Sequence, residues 1–291
     1  MNNFENALVD VLKNKGYEVK LQDVTKNNNQ LYRALMLNEK GVENTTNPVI
    51  YIDNYYEDYL DGKSVLEIAD NILSVYCDNK VELTTDDLTK FFYDESAYSV
   101  RLVNGVNELD DFIHRPFLNG EFKLLLCIEV NMGSDKGTIK ASHKILEMID
   151  KSADDMFDIA LKNIKNQLTY QPMLDILCDI MGEELPEDEF SDKGNMIVIS
   201  NNQKLFGAIA IADMDFLGEV SKKYFGSRNM VILPSSVHEC ICIEQPTDCM
   251  DYSILRDAVR NINVTQVSKV DWLSDEIFLF DATNKKLNMV K

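Results

Sequence analysis

The chain has no long apolar run, few histidines, little proline or glycine and a shortage of positive charge. Its 291 residues include only 6 Pro, 12 Gly and 3 His. No stretch approaches the roughly 18 consecutive apolar residues of a membrane span, so no membrane partner is expected. The opening Met1-Asn2-Asn3-Phe4-Glu5-Asn6 lacks a basic region followed by an apolar run, and no signal peptide is expected. Cysteine occurs at 77, 127, 178, 240, 242 and 249 with no CxxC pair, which points to free thiols in a reducing cytoplasm. With 45% hydrophobic residues, 13 Phe and 12 Tyr, disorder is excluded as the general state. The length favours two domains or lobes.

What is abundant is acid. The formal net charge is −20, and residues 1–200 carry 37 acidic against 19 basic side chains, whereas 201–291 carry 12 against 10. Such a surface repels phosphate backbones and anionic membranes, so direct nucleic-acid binding is not expected. It suits a basic protein partner, or simple solubility. Residues 182–195 hold six acids in fourteen positions, with Pro186 and flanking glycines. That segment reads as the boundary, giving an acidic first lobe over 1–182, a linker or loop over 183–195 and a second lobe over 196–291.

Hydrophobic spacing supplies the elements. Asn2 reads as the cap of a first helix carrying Phe4, Leu8, Val11 and Leu12 and ending at Gly16. Strands follow over 17–21 and 31–37 across the polar turn 26–29, then a short buried strand over 48–52 and a Tyr-rich helix over 53–60. Ser64-Val65-Leu66-Glu67 is a capping box ahead of the clearest helix. A helix is expected within 81–99, strands over 99–103 and 122–130, and helices over 142–151 and 153–168. Beyond the boundary, 196–200 and 205–212 look like paired strands. Helices over 214–225 and 251–262 alternate with strands over 230–233, 237–243, 277–280 and 287–290. Strand pairs interspersed with helices predict an α+β fold with mixed or antiparallel sheets and flanking helices.

The densest chemistry lies in Leu233-Pro234-Ser235-Ser236-Val237-His238-Glu239-Cys240-Ile241-Cys242. As a nucleophilic site, Ser235 or Ser236 would use His238 as general base, although the Gly-x-Ser-x-Gly elbow is missing. As a metal site, His238, Cys240 and Cys242 would share a strand face. Alternate residues there are about 6.5–7 Å apart, so one straight strand cannot place three ligands around one ion. No metal and no cofactor are expected. The bland reading makes Pro-Ser-Ser a turn and His238 a hydrogen-bonded residue at a strand start. His114-Arg115 suits an anionic group or, more simply, a salt bridge to Asp110 or Asp111. Tyr51, Tyr55, Tyr56 and Tyr59 offer either a binding surface or core packing with hydroxyls at the edge. Gly133-Ser134-Asp135-Lys136-Gly137-Thr138 lacks the ending of a phosphate loop and fits a hairpin turn better.

Several of these segments together resemble an uncharacterised bacterial family, a domain of unknown function. They are Val49-Ile50-Tyr51-Ile52-Asp53-Asn54-Tyr55-Tyr56-Glu57, Ile113-His114-Arg115, the string Leu233-Pro234-Ser235-Ser236-Val237-His238-Glu239, Asn263-Val264-Thr265-Gln266-Val267 and Leu273-Ser274-Asp275. The resemblance implies an intracellular protein of about this length and transfers no activity. It marks Ser235, Ser236, His238, Glu239, His114 and Arg115 as positions to test. Two expectations follow. One is a cytoplasmic, non-enzymatic interaction or regulatory protein whose acidic face meets a basic protein. The other is a hydrolase-like enzyme with His238 as general acid or base near Ser235 or Ser236.

Overall fold

A computed structural model describes residues 1–41, 48–80, 84–132, 135–182, 196–246 and 252–290. The fold is α+β and contains three antiparallel sheets. The chain divides into two compact units, Met1–Phe91 and Phe92–Lys291.

The first unit opens with α1 (Asn2–Asn14). Phe4, Leu8 and Leu12 recur every four residues, so they share one helix face, and all three are buried. Met1, not Asn2, is the cap: its carbonyl accepts the Glu5 N–H at 3.0 Å. A meander of β1 (Tyr17–Thr25), β2 (Leu31–Glu39) and β3 (Val49–Tyr51) follows. The β1–β2 turn places Asn28 and Asn29 at φ 58° and 54°, a left-handed conformation that asparagine tolerates better than most residues. After α2 (Asp53–Leu60), the expected capping box starts α3 (Val65–Asp78). Ser64 Oγ accepts the Glu67 N–H at 3.2 Å, and the Glu67 carboxylate accepts the Ser64 N–H at 3.0 Å. Ile68, Ala69, Ile72 and Tyr76 of α3 meet the α1 face, Leu35, Leu37, Ile50 and Ile52 in one core. Leu8→Ala would leave a hole at its centre, at a cost of about 2–5 kcal/mol.

The helix expected within 81–99 is only α4 (Thr85–Tyr93). Asp94 Oδ1 accepts the Ser96 N–H at 2.9 Å and closes a 3-10 turn, and Tyr98 already begins a strand. In the second unit β4 (Tyr98–Asn104) pairs along one side of β6 (Phe122–Met132), while β5 (His114–Phe117) and β7 (Asp135–Lys140) take successive parts of the other. The β6–β7 register closes at Met132 opposite Asp135, as a hairpin reading of Gly133–Thr138 requires; 133–134 lie outside the described residues. The continuous apolar run of β6 is buried, with Leu126, Cys127 and Ile128 at 0% exposure. Helix α5 (His143–Ile149) precedes α6 (Ala153–Lys165), which packs on β4.

The second sheet runs β13 (Lys286–Met289), β12 (Phe278–Asp281), β10 (Met230–Leu233), β11 (Cys240–Glu244), β9 (Ile197–Asn201), β8 (Leu168–Pro172). Helices α7 (Met173–Met181), α8 (Met214–Phe225) and α9 (Tyr252–Gln266) connect its strands. The helix expected over 153–168 thus stops at Lys165, and β8 and α7 are additions to the sequence reading. Residues 183–195, read as an inter-lobe linker, lie outside the described residues. The strands on either side of them, β8 and β9, pair directly from Leu168–Asn201 to Pro172–Ile197. They belong to one sheet, and the division between the units falls between Phe91 and Phe92.

The expected strand over 205–212 is instead a buried 3-10 helix, Gly207–Ala212, and β9 pairs with β8 and β11. Gly207 accounts for the difference. A Cβ there would sit 2.2 Å from Ser200 Oγ, 2.6 Å from the Asn201 nitrogen and 2.7 Å from the His238 carbonyl oxygen. Only glycine lets the chain pass this close to β9 and residue 238.

Candidate functional site

The string 233–239 leaves β10 and is held by the segment ahead of β12. The N–H of Val237 donates to the Asp271 carbonyl at 2.8 Å, that of Leu273 to the Ser235 carbonyl at 2.9 Å and that of Ser274 to the Pro234 carbonyl at 3.0 Å. The second segment is itself anchored. Asn263 Nδ2 donates to the Ser274 carbonyl (2.9 Å) and to Asp275 Oδ1 (2.7 Å), Asn104 Nδ2 donates to the Leu273 carbonyl (2.6 Å), and Ser274 Oγ bonds Glu121 Oε1 (2.7 Å). Residues far apart in sequence, Asn104, Glu121, the stretch 234–238 and the stretch 263–275, therefore form one hydrogen-bonded assembly.

His238 stands at its edge with 27% of its side chain exposed, enough for solvent to reach it. Its Nδ1 accepts the Phe206 backbone N–H at 3.2 Å, and its Nε2 lies 3.2 Å from Asp271 Oδ1. A backbone N–H can only donate, so Nδ1 carries the lone pair and Nε2 carries the proton that Asp271 accepts. The Phe206 ring packs on the imidazole with centroids 5.3 Å apart. On Phe206 rests the Arg101 guanidinium, 3.6 Å from the ring centroid. Arg101 Nη2 also bonds Thr138 Oγ1, and Glu129 gathers Thr138 Oγ1 (2.8 Å) and Ser99 Oγ (2.7 Å) on its two oxygens. A polar and aromatic chain thus runs from β4, β6 and β7 to His238 and Asp271.

This arrangement constrains what the serines and histidine can do. Ser236 Oγ accepts the backbone N–H of His238 at 3.1 Å, and Ser235 contributes its carbonyl to Leu273. For His238 to take a proton from a serine through Nε2, its own proton would have to move to Nδ1, where it would face the Phe206 N–H. Glu239 is exposed on the other side of the strand start. Cys240 and Cys242 point into the core, and burial pushes both thiols up, Cys240 well above its ordinary range. Among the described residues no group of three His, Cys, Asp or Glu side chains is placed to hold a metal ion; Cys249 lies outside them.

The other sequence candidates sit elsewhere. His114 Nδ1 donates to the Phe112 carbonyl at 3.0 Å on β5. Arg115 pairs with Asp154 at 2.5 Å and lies 4.2 Å over the Phe157 ring, so its partners come from α6 and not from Asp110 or Asp111. His143 is exposed and lines an open cleft of about 460 Å³ with Ile113, Glu147 and Lys151. Tyr55 and Tyr56 belong to the first unit. Tyr55 is half-buried against the core, its phenol raised by burial, and Tyr56 packs on Phe4 at 5.5 Å while its hydroxyl accepts the Met1 amine at 2.9 Å.

Sequence reasoning missed Arg101, Phe206 and Asp271. One signal was present: a lone glycine inside an apolar run, Leu205-Phe206-Gly207-Ala208-Ile209, marks a close backbone approach.

A family model described as a family of unknown function (DUF5688) matches residues 1–282, and the chain belongs to that family. No curated protein and no solved structure gives a significant match. Among the described residues no helix is long and apolar enough to cross a membrane.

Proposed function

We propose that this member of the family acts by binding, not by catalysis, and that its acidic surface engages a basic protein in the cytoplasm. The observation that carries the reading is the uncompensated charge: 49 acids against 29 Lys and Arg, densest from Glu183 to Asp192. A surface of this sign speeds encounter with cationic partners and repels nucleic acid. The fate of His238 supports the same choice. Both ring nitrogens serve the scaffold, one on Phe206 and one on Asp271, and the Ser236 hydroxyl accepts the His238 backbone N–H. The enzymatic reading needs that assembly to come apart before any proton moves.

Native mass spectrometry on the protein purified gently at low salt tests the reading. A stoichiometric basic polypeptide that dissociates as salt rises is the expected result. A bound small molecule or metal with no polypeptide would overturn it and return attention to His238.

A further inference from the structure

We infer that the segment ending at Phe206 is a proton-operated latch: a proton taken up on His238 Nδ1 frees the Phe206 amide and lifts its ring off Arg101. The segment lies between β9 and the 3-10 helix, and its backbone is strained. Lys204 and Phe206 stand at φ +54° and +55°, a left-handed conformation that costs free energy in any residue with a Cβ. Asn201 holds the first part. Its carbonyl accepts the Lys204 N–H at 3.0 Å, its Oδ1 accepts the Leu205 N–H at 3.3 Å, and its Nδ2 donates to the Leu205 carbonyl at 2.7 Å. The last bond differs in kind, because the Phe206 N–H donates at 3.2 Å to a side chain that can take up a proton. Beyond it the chain is fixed again, by Gly207 wedged against β9 and by the Ala208 N–H on the Val237 carbonyl at 3.2 Å. Movement is thereby confined to the residues before Gly207.

Histidine is the side chain whose ordinary charge change falls near neutral pH. While the ring is neutral, Nδ1 offers its lone pair to Phe206. Once protonated, both ring nitrogens carry hydrogen, and Nδ1–H and the Phe206 N–H face each other as two donors. Asp271 decides which contact yields. Its Oδ1 lies 3.2 Å from Nε2, and a bond between ionised groups is about twice as strong as one between neutral groups. The ring therefore stays with Asp271, itself held by Ser268 Oγ at 2.6 Å, and the amide is released. Among the described residues no other charged side chain touches the imidazole: Glu239, next in the chain, is exposed, and Arg101 rests on the Phe206 ring. When Phe206 leaves, the guanidinium loses that ring, and the cluster of Arg101, Ser99, Glu129 and Thr138 is uncovered.

Nuclear magnetic resonance on the full chain, titrated from about pH 8 to about pH 5, tests the latch. One measurement follows the protonation of His238 Nδ1. A second follows the protection of the Phe206 amide against hydrogen exchange, corrected for the intrinsic effect of pH. Expected are a common midpoint and a loss of Phe206 protection of about tenfold, the worth of one hydrogen bond. The Ala208 amide, which is bonded to Val237 and not to the imidazole, should keep its protection. In His238→Asn the side-chain oxygen accepts at every pH in this range, so Phe206 protection should stay constant. Protection of Phe206 that persists while Nδ1 takes its proton, two different midpoints, an equal loss at Ala208, or the same loss in the His238→Asn protein would each overturn the inference. So would an Nδ1 that stays unprotonated throughout. If His238→Asn fails to fold, the two wild-type midpoints and the Ala208 amide decide the matter without it.

Discussion

His238 Nδ1 accepts the backbone N–H of Phe206, and Phe206 holds φ at +55°, a conformation that a bulky residue rarely adopts. The two facts belong together. A left-handed phenylalanine costs free energy, and the bond to His238, the Arg101 stack and the immovable Gly207 next to it hold the backbone there. His238→Ala should therefore act first on stability, lowering it by about 1–3 kcal/mol through the orphaned Phe206 amide and the loss of one bond to Asp271, which keeps the Ser268 hydroxyl at 2.6 Å. His238→Asn can put its side-chain oxygen near the Nδ1 position and should recover part of the loss. Urea melts rank the three proteins. A His238→Ala protein as stable as the wild type would refute the scaffold role and revive the enzymatic one.

Gly207 makes a sharper comparison. Gly207→Ala drives a Cβ against two backbone atoms and the Ser200 hydroxyl, none of which can move away freely, so a loss above about 3 kcal/mol or failure to fold is expected. Gly62→Ala, at φ +99° with nothing within 4 Å of the new carbon, should cost only about 1 kcal/mol. Ser200→Ala in the Gly207→Ala background relieves one contact of three and should not restore the fold. Denaturation midpoints of the four proteins check this order.

The elements written by local chemistry were legible. The Ser64–Glu67 box, the Phe4-Leu8-Leu12 stripe and the continuous apolar run of β6 each carry their own cause in a few neighbouring residues, and each appears where the spacing places it. The misreadings have tertiary causes. Residues 205–212 are apolar without a period, and a buried 3-10 helix and a buried strand look alike in that respect. β8, with five half-buried residues ending in Pro172, has too little pattern to announce a strand and exists because β9 pairs with it. For the candidate site, the string around His238 was visible, but its partners lie 32 residues before it at Phe206 and 33 after it at Asp271, and at Arg101 on another sheet. A contact of that range leaves no local mark except the glycine that makes room for it.

The thiols divide by burial, and reagent should find the division. Cys77 is exposed and Cys178 half-buried on α7, while Cys127, Cys240 and Cys242 are buried. Only the thiolate reacts, and burial pushes the Cys127 thiol up to about 12 and the two strand thiols in the same direction. Alkylation of the native protein between pH 7 and 9 should label Cys77 rapidly, Cys178 more slowly, and Cys127, Cys240 and Cys242 only in denaturant. Peptide mapping of each site decides it, and labelling of Cys240 or Cys242 in the folded state would contradict the packing of β11.

Acid should loosen the start of α4 before it loosens the sheets. Asp87 accepts hydrogen bonds from Lys90 Nζ at 2.7 Å and from the Thr84 hydroxyl at 2.7 Å and amide at 3.3 Å. Lys90 first and then Thr84 hold its carboxyl at about 2, below the ordinary 3.8. A carboxyl depressed by folding stabilises the native state above its unfolded value, and that contribution fades as the pH falls through 3.8 toward 2. Asp87→Ala should therefore be less stable than the wild type at pH 6, with the gap narrowing steadily below pH 4 and closing near pH 2. Because the carboxyl is exposed, added salt should shrink the part of the gap due to Lys90 and leave the part due to Thr84. Denaturation midpoints of both proteins across pH 2–6, at low and high salt, measure it. A gap that stays constant down to pH 2 would mean that the aspartate caps the helix without its charge.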